Sequence, residues 1–327
     1  MLKFRTDTSL VDNKEIAYTY VVDKDGAGDF ESIQAAVDAA REGDYIFIKP
    51  GVYRERVEVR TNNLTIVGAS KDRTIIDERY YAKKIMDDGI KRGTFRTYTV
   101  LINADNVTVM NLTISNSAGY GKEVGQAIAL YAEGRDLIFK KVRLIGCQDT
   151  LFTGPLPFKE NEKGGFRGPT EHAPREEMKQ YYEECYIEGE VDFIFGSACA
   201  YFRNCVLYAL ERNEKKNAFY TAPSTYEFMK VGYVFDHCTF TGNASKGSCY
   251  ISRPWRIYAK TVLLDCVLSD CINEQGYDDW DKLESHESCY YAEYNSSGAG
   301  ANKDKRLDYV KFLSAEEADA FRISLDN

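Results

Sequence analysis

The chain has 327 residues, of which 44% are hydrophobic and 13% aromatic, and this composition supplies a sizeable core and excludes a disordered chain. Its 42 Lys and Arg residues against 51 Asp and Glu residues give a formal net charge of −9, which argues against a nucleic-acid-binding surface and against anchoring on anionic lipid. A polyanionic ligand would need a locally positive surface.

The N-terminal residues 1–7 lack the apolar segment and the small-residue cleavage site of a signal peptide. The sequence also lacks a run of about eighteen apolar residues, so it predicts no membrane-spanning helix. We therefore expect a cytoplasmic protein as the sequence stands, or a secreted one if a leader has been removed.

The first predicted element is an amphipathic helix over residues 30–40. Phe30, Ile33, Val37 and Ala40 share one face of this helix, and Asp29 is placed to act as its N-cap. Such a helix is suited to covering the open N-terminal end of a repeat protein, whose terminal units must be capped.

Downstream of this helix, β-rich segments repeat one pattern, in which a strand, a polar kink and a second strand follow each other. They span residues 107–114, 137–145, 181–187, 201–207, 234–240 and 262–268, and the residue after the kink is Leu112, Val142, Cys185, Cys205, Cys238 or Cys266. Stacked coils would bury this apolar column and pair every internal strand edge. The pattern predicts an all-β, single-stranded right-handed parallel β-helix, with residues 1–327 forming one domain.

Two further segments are distinct in the C-terminal half. Residues 155–177 are dense in Gly, Pro and charge, which predicts a long loop inserted between two coils. Near the end of the chain, Ser314 and Glu317 form a capping-box pattern that opens a short helix, and we expect this helix to include Phe321.

Cysteine and histidine are not arranged for metal binding. The nine cysteines lie without a CxxC pair or zinc-type spacing, and the three histidines lie outside GxSxG and HExxH patterns. We expect no metal and no cofactor, so any hydrolysis must rest on carboxylates. The cysteines are either buried core residues or, for Cys185 and Cys205 on adjacent coils, a disulfide, and the sequence does not choose between these states.

Two aspartates stand among apolar strand residues, Asp149 in CQDTL and Asp192 in VDFIFG. An aspartate in such a setting is costly unless it is paired or used. Each one alone is better explained as a turn-capping or salt-bridged residue. Their occurrence on successive coil segments, with Gln126 and Gln148 nearby, favours a functional site.

A third segment, ISRPW, holds Arg253 and Trp255 on either side of a proline. A tryptophan at an exposed strand end suits stacking on a sugar ring. Ordinary packing of the tryptophan and a plain surface charge for the arginine are the alternatives.

Six motifs in a fixed order give the chain a resemblance to a known family. They are DGAGDF at 25–30, GVYRE at 51–55, QAIAL at 126–130, QDTL at 148–151, DFIFG at 192–196 and RPW at 253–255. In this order they resemble the pectin methylesterases from about residue 20 to the C-terminus. The resemblance implies a right-handed parallel β-helix that hydrolyses the C6 methyl ester of galacturonate and releases methanol.

The resemblance also implies a role for each matching residue. Asp192 would be the nucleophile, and Asp149 the general acid that protonates methanol and then the base that activates water. Gln148 would donate to the oxyanion with Gln126 beside it, and Arg253 would orient Asp192. These roles agree with elementary chemistry, because two close carboxylates do not both ionise cheaply and a guanidinium keeps one of them anionic.

The implied substrate-binding residues are Trp255 and Phe195, which would line the sugar site. The implied partners are methyl-esterified pectin or oligogalacturonates, with no nucleic acid and no membrane, and we expect a monomer. Because the net charge is −9, we also expect the enzyme to repel demethylated product and to favour methyl-rich substrate.

The chain departs from the family pattern at several places around the motifs. Ser252 replaces the common Gly before RPW, Glu190 replaces the usual Thr before Val191-Asp192, and the inserted residues 155–177 would overhang the cleft. These departures bear on substrate length and attack pattern more than on the reaction.

Two other classes of protein share this architecture. A pectin-active glycosidase or lyase would need clustered acids with a histidine, or a calcium-binding acidic cluster with a basic residue, and neither pattern is visible. A non-catalytic sugar-binding β-helix would not need Gln148, Asp149, Asp192 and Arg253 together, and their presence counts against it.

Overall fold

The computed structural model describes residues 2–8 and 17–323 and consists of three parallel sheets that the chain visits in turn. Sheet 1 contains Tyr20–Val22, Tyr45–Ile48, Thr65–Gly68, Thr108–Met110, Leu137–Lys140, Lys179–Glu183, Cys199–Arg203, Tyr233–Asp236, Lys260–Leu264, Tyr290–Tyr294 and Lys311–Phe312. Sheet 2 contains Gly51–Tyr53, Thr74–Glu78, Thr113–Asn116, Arg143–Ile145, Tyr186–Gly189, Val206–Ala209, Thr239–Gly242 and Val267–Leu268. Sheet 3 contains Val57–Val59, Val100–Ile102, Leu130–Ala132, Leu151–Thr153, Ile194–Gly196, Ala218–Pro223 and Cys249–Ser252. Seven successive coils, from Tyr45–Ile48 to Cys249–Ser252, therefore supply one strand to each sheet, and the coils at the two ends are incomplete. This architecture is a parallel β-helix.

The turn from sheet 1 to sheet 2 explains the repeated kink. Its first residue adopts a left-handed backbone with φ between 51° and 57° in seven coils, at Asn111, Lys141, Glu184, Asn204, His237, Asp265 and Asn295. The next residue points into the core, and the predicted column from Leu112 to Cys266 is at most 2% exposed at each of its six positions. The inward column is therefore confirmed.

The core repeats along the helix axis at the spacing of the strands. Four rings of sheet 1, Phe139, Tyr182, Phe202 and Phe235, stack with centroids 4.6–4.8 Å apart, which is the spacing between neighbouring strands. All nine cysteines are free thiols, and Cys185 and Cys205 each donate to a carbonyl of the preceding coil instead of forming a disulfide.

The N-terminal helix is confirmed, but its predicted bounds and N-cap are wrong. The helix is Ile33–Ala39, Ser32 is its N-cap, and Ile33, Ala36 and Val37 join the core. Phe30 lies outside it and bridges Val22, while the Asp29 carboxylate accepts a hydrogen bond of 2.8 Å from the backbone of Val21. Asp29 thus fixes the first strand instead of the helix, because Ser32 and Glu55 already satisfy the free amides of the helix.

The C-terminal helix covers Ala315–Asp319, and its capping box between Ser314 and Glu317 is present. Phe321 lies in the turn after this helix, so the expectation that the helix would contain it is wrong. In residues 2–8 and 17–323, the other helices are Gly121–Val124 and Ser285–Ser288, with 3-10 turns at Thr94–Arg96 and Lys303–Lys305. Within the described ranges, no helix has both the length and the apolar character that crossing a bilayer requires.

Residues 155–177 form a long irregular connection between sheet 3 and sheet 1. One anchor of this connection is Thr170, which donates a hydrogen bond of 2.5 Å to the carboxyl group of Glu133 and contacts the hydroxyl of Tyr131, also at 2.5 Å. Another is Phe166, which is 7% exposed and belongs to an aromatic cluster outside sheet 3. The connection is therefore packed onto the outer face of sheet 3.

Glu133 gives this anchor a pH dependence that a stability measurement can detect. Burial raises the pKa of Glu133 to about 7, against an ordinary value of 4.5. Between pH 4.5 and about pH 7, the folded protein therefore keeps a proton that the unfolded chain has lost. The unfolding free energy falls as the pH rises through this range, because Glu133 must ionise in its buried site. We expect Glu133→Gln to remove this loss, so that its unfolding free energy relative to wild type increases by about 3 kcal/mol between pH 4 and pH 8. Denaturant unfolding at both pH values measures the change, with the exposed Glu31→Gln as control; a difference that stays constant with pH contradicts the assignment.

Candidate active site

The two predicted aspartates occupy equivalent positions on neighbouring coils. Leu151 pairs with Ile194 in sheet 3, and Asp149 and Asp192 each lie two residues before these partners. Both aspartates have a left-handed backbone, with φ of 63° and 52°, at the corner that leads into the strand. They are 7% and 8% exposed, so both are largely withdrawn from solvent while bordering one cleft.

Arg253 holds Asp192 in a fixed orientation. Its Nε donates to Oδ1 and its Nη2 donates to Oδ2, each at 2.7 Å, which is the two-pronged geometry that guanidinium and carboxylate favour. The guanidinium carbon also lies 3.8 Å from the ring centroid of Phe219 and 3.6 Å from that of Trp280. Two rings therefore enclose the cation, and both oxygens of Asp192 are fixed by it.

The electrostatics of Asp149 differ from those of an ordinary surface carboxyl. Burial raises its pKa well above 3.8, and the nearby charge of Asp192 raises it further. Arg253 and a hydrogen bond from Gln148 act in the opposite direction but do not cancel the increase. Asp149 is therefore stabilised in its protonated form, in which it can donate a proton.

The cleft has a volume of about 350 Å³, and all seven residues singled out from the sequence line it, namely Gln126, Gln148, Asp149, Asp192, Phe195, Arg253 and Trp255. Phe195 contacts Trp255 edge to face at 5.7 Å, which gives the cleft one aromatic wall. The inserted connection supplies part of the cleft lining through Asn161, Glu162 and Phe166.

The sequence reasoning missed several residues that line the cleft or pack behind it. Trp280 and Phe219 enclose Arg253, and Phe95 lies 5.8 Å from Phe166 in the aromatic lining. Lys282 donates to the carbonyls of Pro254 and Trp255, and burial together with Arg256 and Arg253 lowers its pKa to about 8. The sequence signalled only Trp280 among these residues, because the chain has just two tryptophans.

Two departures from the family pattern have a structural explanation. The hydroxyl of Ser252 is fully buried and contacts that of Thr261 at 3.1 Å, so it points into the coil and away from the cleft. Glu190 is buried and accepts a hydrogen bond of 3.0 Å from the backbone of Gly121, and burial raises its pKa. It thereby holds the helix Gly121–Val124 beside Gln148.

One group of three potential metal ligands occurs in the described part of the chain, formed by Asp236, His237 and Asp265. It lies outside the cleft, and Arg322 binds both of its aspartates, at 2.9 Å and 2.5 Å. His237 also contacts Asp236, at 2.7 Å. The carboxylates already have cationic or imidazole partners, so this group does not offer an open ligand set.

Comparison with known proteins places this geometry in a family. The family model described as Pectinesterase matches residues 19–156 and 172–325, so residues 157–171 of the inserted connection fall outside the match. Pectinesterase 31 of Arabidopsis thaliana is 32% identical over 311 residues, which cover 92% of this chain and 89% of the relative.

Solved structures agree with this match. A pectin methylesterase in complex with a hexasaccharide has a TM-score of 0.77 at 27% identity, covering 94% of this chain and 96% of the other. The enzyme from carrot has the same TM-score at 28% identity, covering 94% and 92%. The predicted right-handed parallel β-helix is thereby confirmed. With the family model matching most of its length, the chain belongs to the pectinesterase family.

Proposed function

We propose that this chain is a carboxylic ester hydrolase that removes C6 methyl esters from galacturonate units of pectin or pectic oligosaccharides and releases methanol. The observation that carries the proposal is the pairing of two unlike aspartates in one cleft. Asp192 is held by Arg253 through two hydrogen bonds of 2.7 Å, and the pKa of Asp149 is raised by burial and by Asp192. A nucleophile and a proton donor are thus provided by the same residue type in two environments.

In the first half of the reaction, a carboxylate oxygen of Asp192 attacks the ester carbonyl carbon and forms a new C–O bond. The carbonyl oxygen becomes an oxyanion, and the side-chain amides of Gln148 and Gln126 donate hydrogen bonds to it. When this intermediate collapses, the bond to the methoxy oxygen breaks, and that oxygen takes the proton of Asp149 and leaves as methanol. The galacturonate is then joined to Asp192 as an anhydride.

In the second half, Asp149 is a carboxylate and takes a proton from water as the water oxygen attacks the same carbonyl carbon. The second oxyanion collapses, and the bond to Asp192 breaks. Asp192 leaves as a carboxylate, which Arg253 stabilises, and Asp149 has regained its proton. The balance is one ester and one water consumed, with one acid and one methanol formed.

Several features support a pectic substrate. A solved relative of this chain is a pectin methylesterase in complex with a hexasaccharide. In this chain, Trp255 and Phe195 border the aspartates, and aromatic rings are common platforms for sugars. The monomeric state and the compartment expected from the sequence stay predictions.

The proposed roles of the aspartates predict large losses of activity. We expect Asp192→Asn and Asp149→Asn each to reduce kcat for methanol release by about 10⁴-fold, because each variant removes a reacting group while keeping nearly the same shape. Asp136 also has a left-handed backbone, with φ of 58°, but lies outside the cleft lining, so Asp136→Asn is a matched control that should keep full activity. Near-wild-type turnover by both cleft variants contradicts the mechanism.

The hold of Arg253 on Asp192 is also testable. We expect Arg253→Lys to keep a positive charge but lose the two-pronged contact and the packing between Phe219 and Trp280. Because a small misplacement of a nucleophile has a large kinetic effect, kcat should fall about 100-fold while KM changes little. If Arg253→Lys has wild-type kcat, orientation by the guanidinium is not required.

The pH dependence of kcat/KM distinguishes the roles of Gln148 and Gln126. Acylation needs Asp149 protonated, so kcat/KM should fall as the pH rises through its raised pKa. The hydrogen bond from Gln148 lowers that pKa, so Gln148→Leu should move the alkaline limb to higher pH in addition to slowing the reaction about 100-fold. Gln126→Leu should slow the reaction without moving the limb. An unmoved limb in Gln148→Leu contradicts the assignment of the limb to Asp149.

Product analysis separates the proposed reaction from cleavage of the polymer. On methylated galacturonate oligomers of graded length, we expect methanol without new reducing ends and without unsaturated product. New chain ends in place of methanol would indicate a glycosidase or lyase, and no turnover of any oligomer would indicate a binding protein.

A further inference from the structure

Glu190 is a buried acid that the proposed reaction does not use. It is 1% exposed and lies two residues before Asp192. Its Oε2 accepts a hydrogen bond of 3.0 Å from the backbone of Gly121, while its Oε1 is buried without a partner. An unpaired polar atom in the interior lowers stability, and such departures from good packing are concentrated at functional sites. A costly acid beside the nucleophile therefore points to a role in the reaction.

The backbone partner of Glu190, Gly121, packs against the side chain of Gln148. A methyl group added to Gly121 would lie 2.5 Å from Oε1 and 2.7 Å from Cβ of Gln148, so only glycine leaves room for this contact. The side chain of Gln148 also forms a hydrogen bond with Asp149. An amide carries its oxygen and its nitrogen on opposite sides. The contact with Gly121 therefore turns the amide oxygen towards the helix and leaves the nitrogen free to donate to Asp149 and to the oxyanion.

The same short helix, Gly121–Val124, also leads into Gln126. It closes with a hydrogen bond of 2.8 Å from the backbone of Gly125 to the carbonyl of Gly121, and Gln126 is the next residue. A displacement of Gly121 is thereby transmitted to Gln126 as well as to Gln148. The placement of both proposed oxyanion donors depends on where this helix begins.

Glu190 holds the helix from a rigid position. Its backbone donates to the carbonyl of Cys147 at 2.7 Å and accepts from the backbone of Phe219 at 3.0 Å, so it is fixed between two coils. Burial raises the pKa of its carboxyl group, whereas the bond from Gly121 and the charge of Arg212 lower the pKa. Because residues 190–192 are one short segment, the anchor of the helix and the nucleophile are fixed to the same corner of the coil.

We propose that Glu190 is a positioning residue, which acts through the backbone of Gly121 to hold Gln148 and Gln126 in the orientation that stabilises the oxyanion. Glu190 is not among the residues that line the cleft, so it acts on these donors and not on the substrate. Donors placed before the reaction stabilise the developing charge without having to reorganise. The threonine that is usual here in the family has a shorter side chain, so this link is specific to a chain with glutamate at this position. The inference rests on the proposed function, because it deepens the roles of the two glutamines in that reaction.

The test compares Glu190→Ala with Glu190→Gln on a methyl-esterified galacturonate oligomer. In Glu190→Ala the amide of Gly121 loses its acceptor, so we expect kcat to fall about 10-fold with little change in KM. Because the bond from Gln148 lowers the pKa of Asp149, the alkaline limb of kcat/KM should also move to higher pH. Glu190→Gln keeps an oxygen that can accept from Gly121 and should restore both kcat and the limb.

Glu188 supplies the matched control for these variants. It lies on the same coil but outside the cleft lining, where it accepts a hydrogen bond of 2.8 Å from the hydroxyl of Tyr186. We expect Glu188→Ala to leave kcat, KM and the alkaline limb unchanged.

Gly121→Ala disturbs the same contact without changing Glu190, and it keeps the test decisive if Glu190→Ala does not fold. The φ of Gly121 is not positive, so alanine suits its backbone, but the added methyl group must displace Gln148. We expect kcat to fall about 100-fold and the alkaline limb to move to higher pH. In Gly51→Ala the added methyl group first meets the flexible end of Lys24, at 2.7 Å, so this control should keep wild-type kinetics.

A Gln148→Leu background separates positioning from general destabilisation. If Glu190 acts through Gln148, the double variant Glu190→Ala/Gln148→Leu should lose less activity than the product of the two single losses. Multiplicative losses, a Glu190→Gln variant as slow as Glu190→Ala, or an alkaline limb unmoved in both Glu190→Ala and Gly121→Ala overturn the positioning role and leave the proposed function intact. No methanol release by the wild type overturns the proposed function and this inference together.

Discussion

In-register stacking of parallel coils is the constraint on which the active site depends. Because Leu151 pairs with Ile194, the corners that precede these strands lie directly above one another, and Asp149 is brought next to Asp192. The left-handed backbone at both corners turns each side chain out of the coil, a conformation that aspartate tolerates better than most residues. Two carboxylates in such proximity cannot both be charged at low cost, so the register itself creates the difference between a proton donor and an anion.

The aromatic residues around the cleft make the difference between the two aspartates larger. Phe219 and Trp280 enclose Arg253, while Phe195 and Trp255 border the aspartates, and together they replace water near the charges. In a less polar setting the attraction between Arg253 and Asp192 is stronger, and so is the penalty for ionising Asp149. The rings therefore act on the chemistry through solvation as well as through any contact with sugar.

The repeating features of the fold were predictable from sequence, and features that depend on distant contacts were not. The column from Leu112 to Cys266 recurs in every coil, so its inward direction follows from the pattern alone. The N-cap was assigned to Asp29 because propensity does not reveal that Glu55 and Ser32 already satisfy the helix amides. Trp280 was missed because it contacts Arg253 from a loop after the last repeat, where no periodicity indicates its position.

Net charge averages over a surface on which charges are segregated, so it constrains binding less directly than the local arrangement of residues does. A global charge of −9 predicts repulsion of demethylated chains, but beyond about 10 Å such repulsion is screened at ordinary salt concentrations. Charges at contact distance are screened far less, and the chain segregates its charges locally, as four arginines that line one pocket show. The net charge of the chain therefore does not by itself decide which sugar chains bind at a local surface, and the expected preference for methyl-rich substrate stays a prediction.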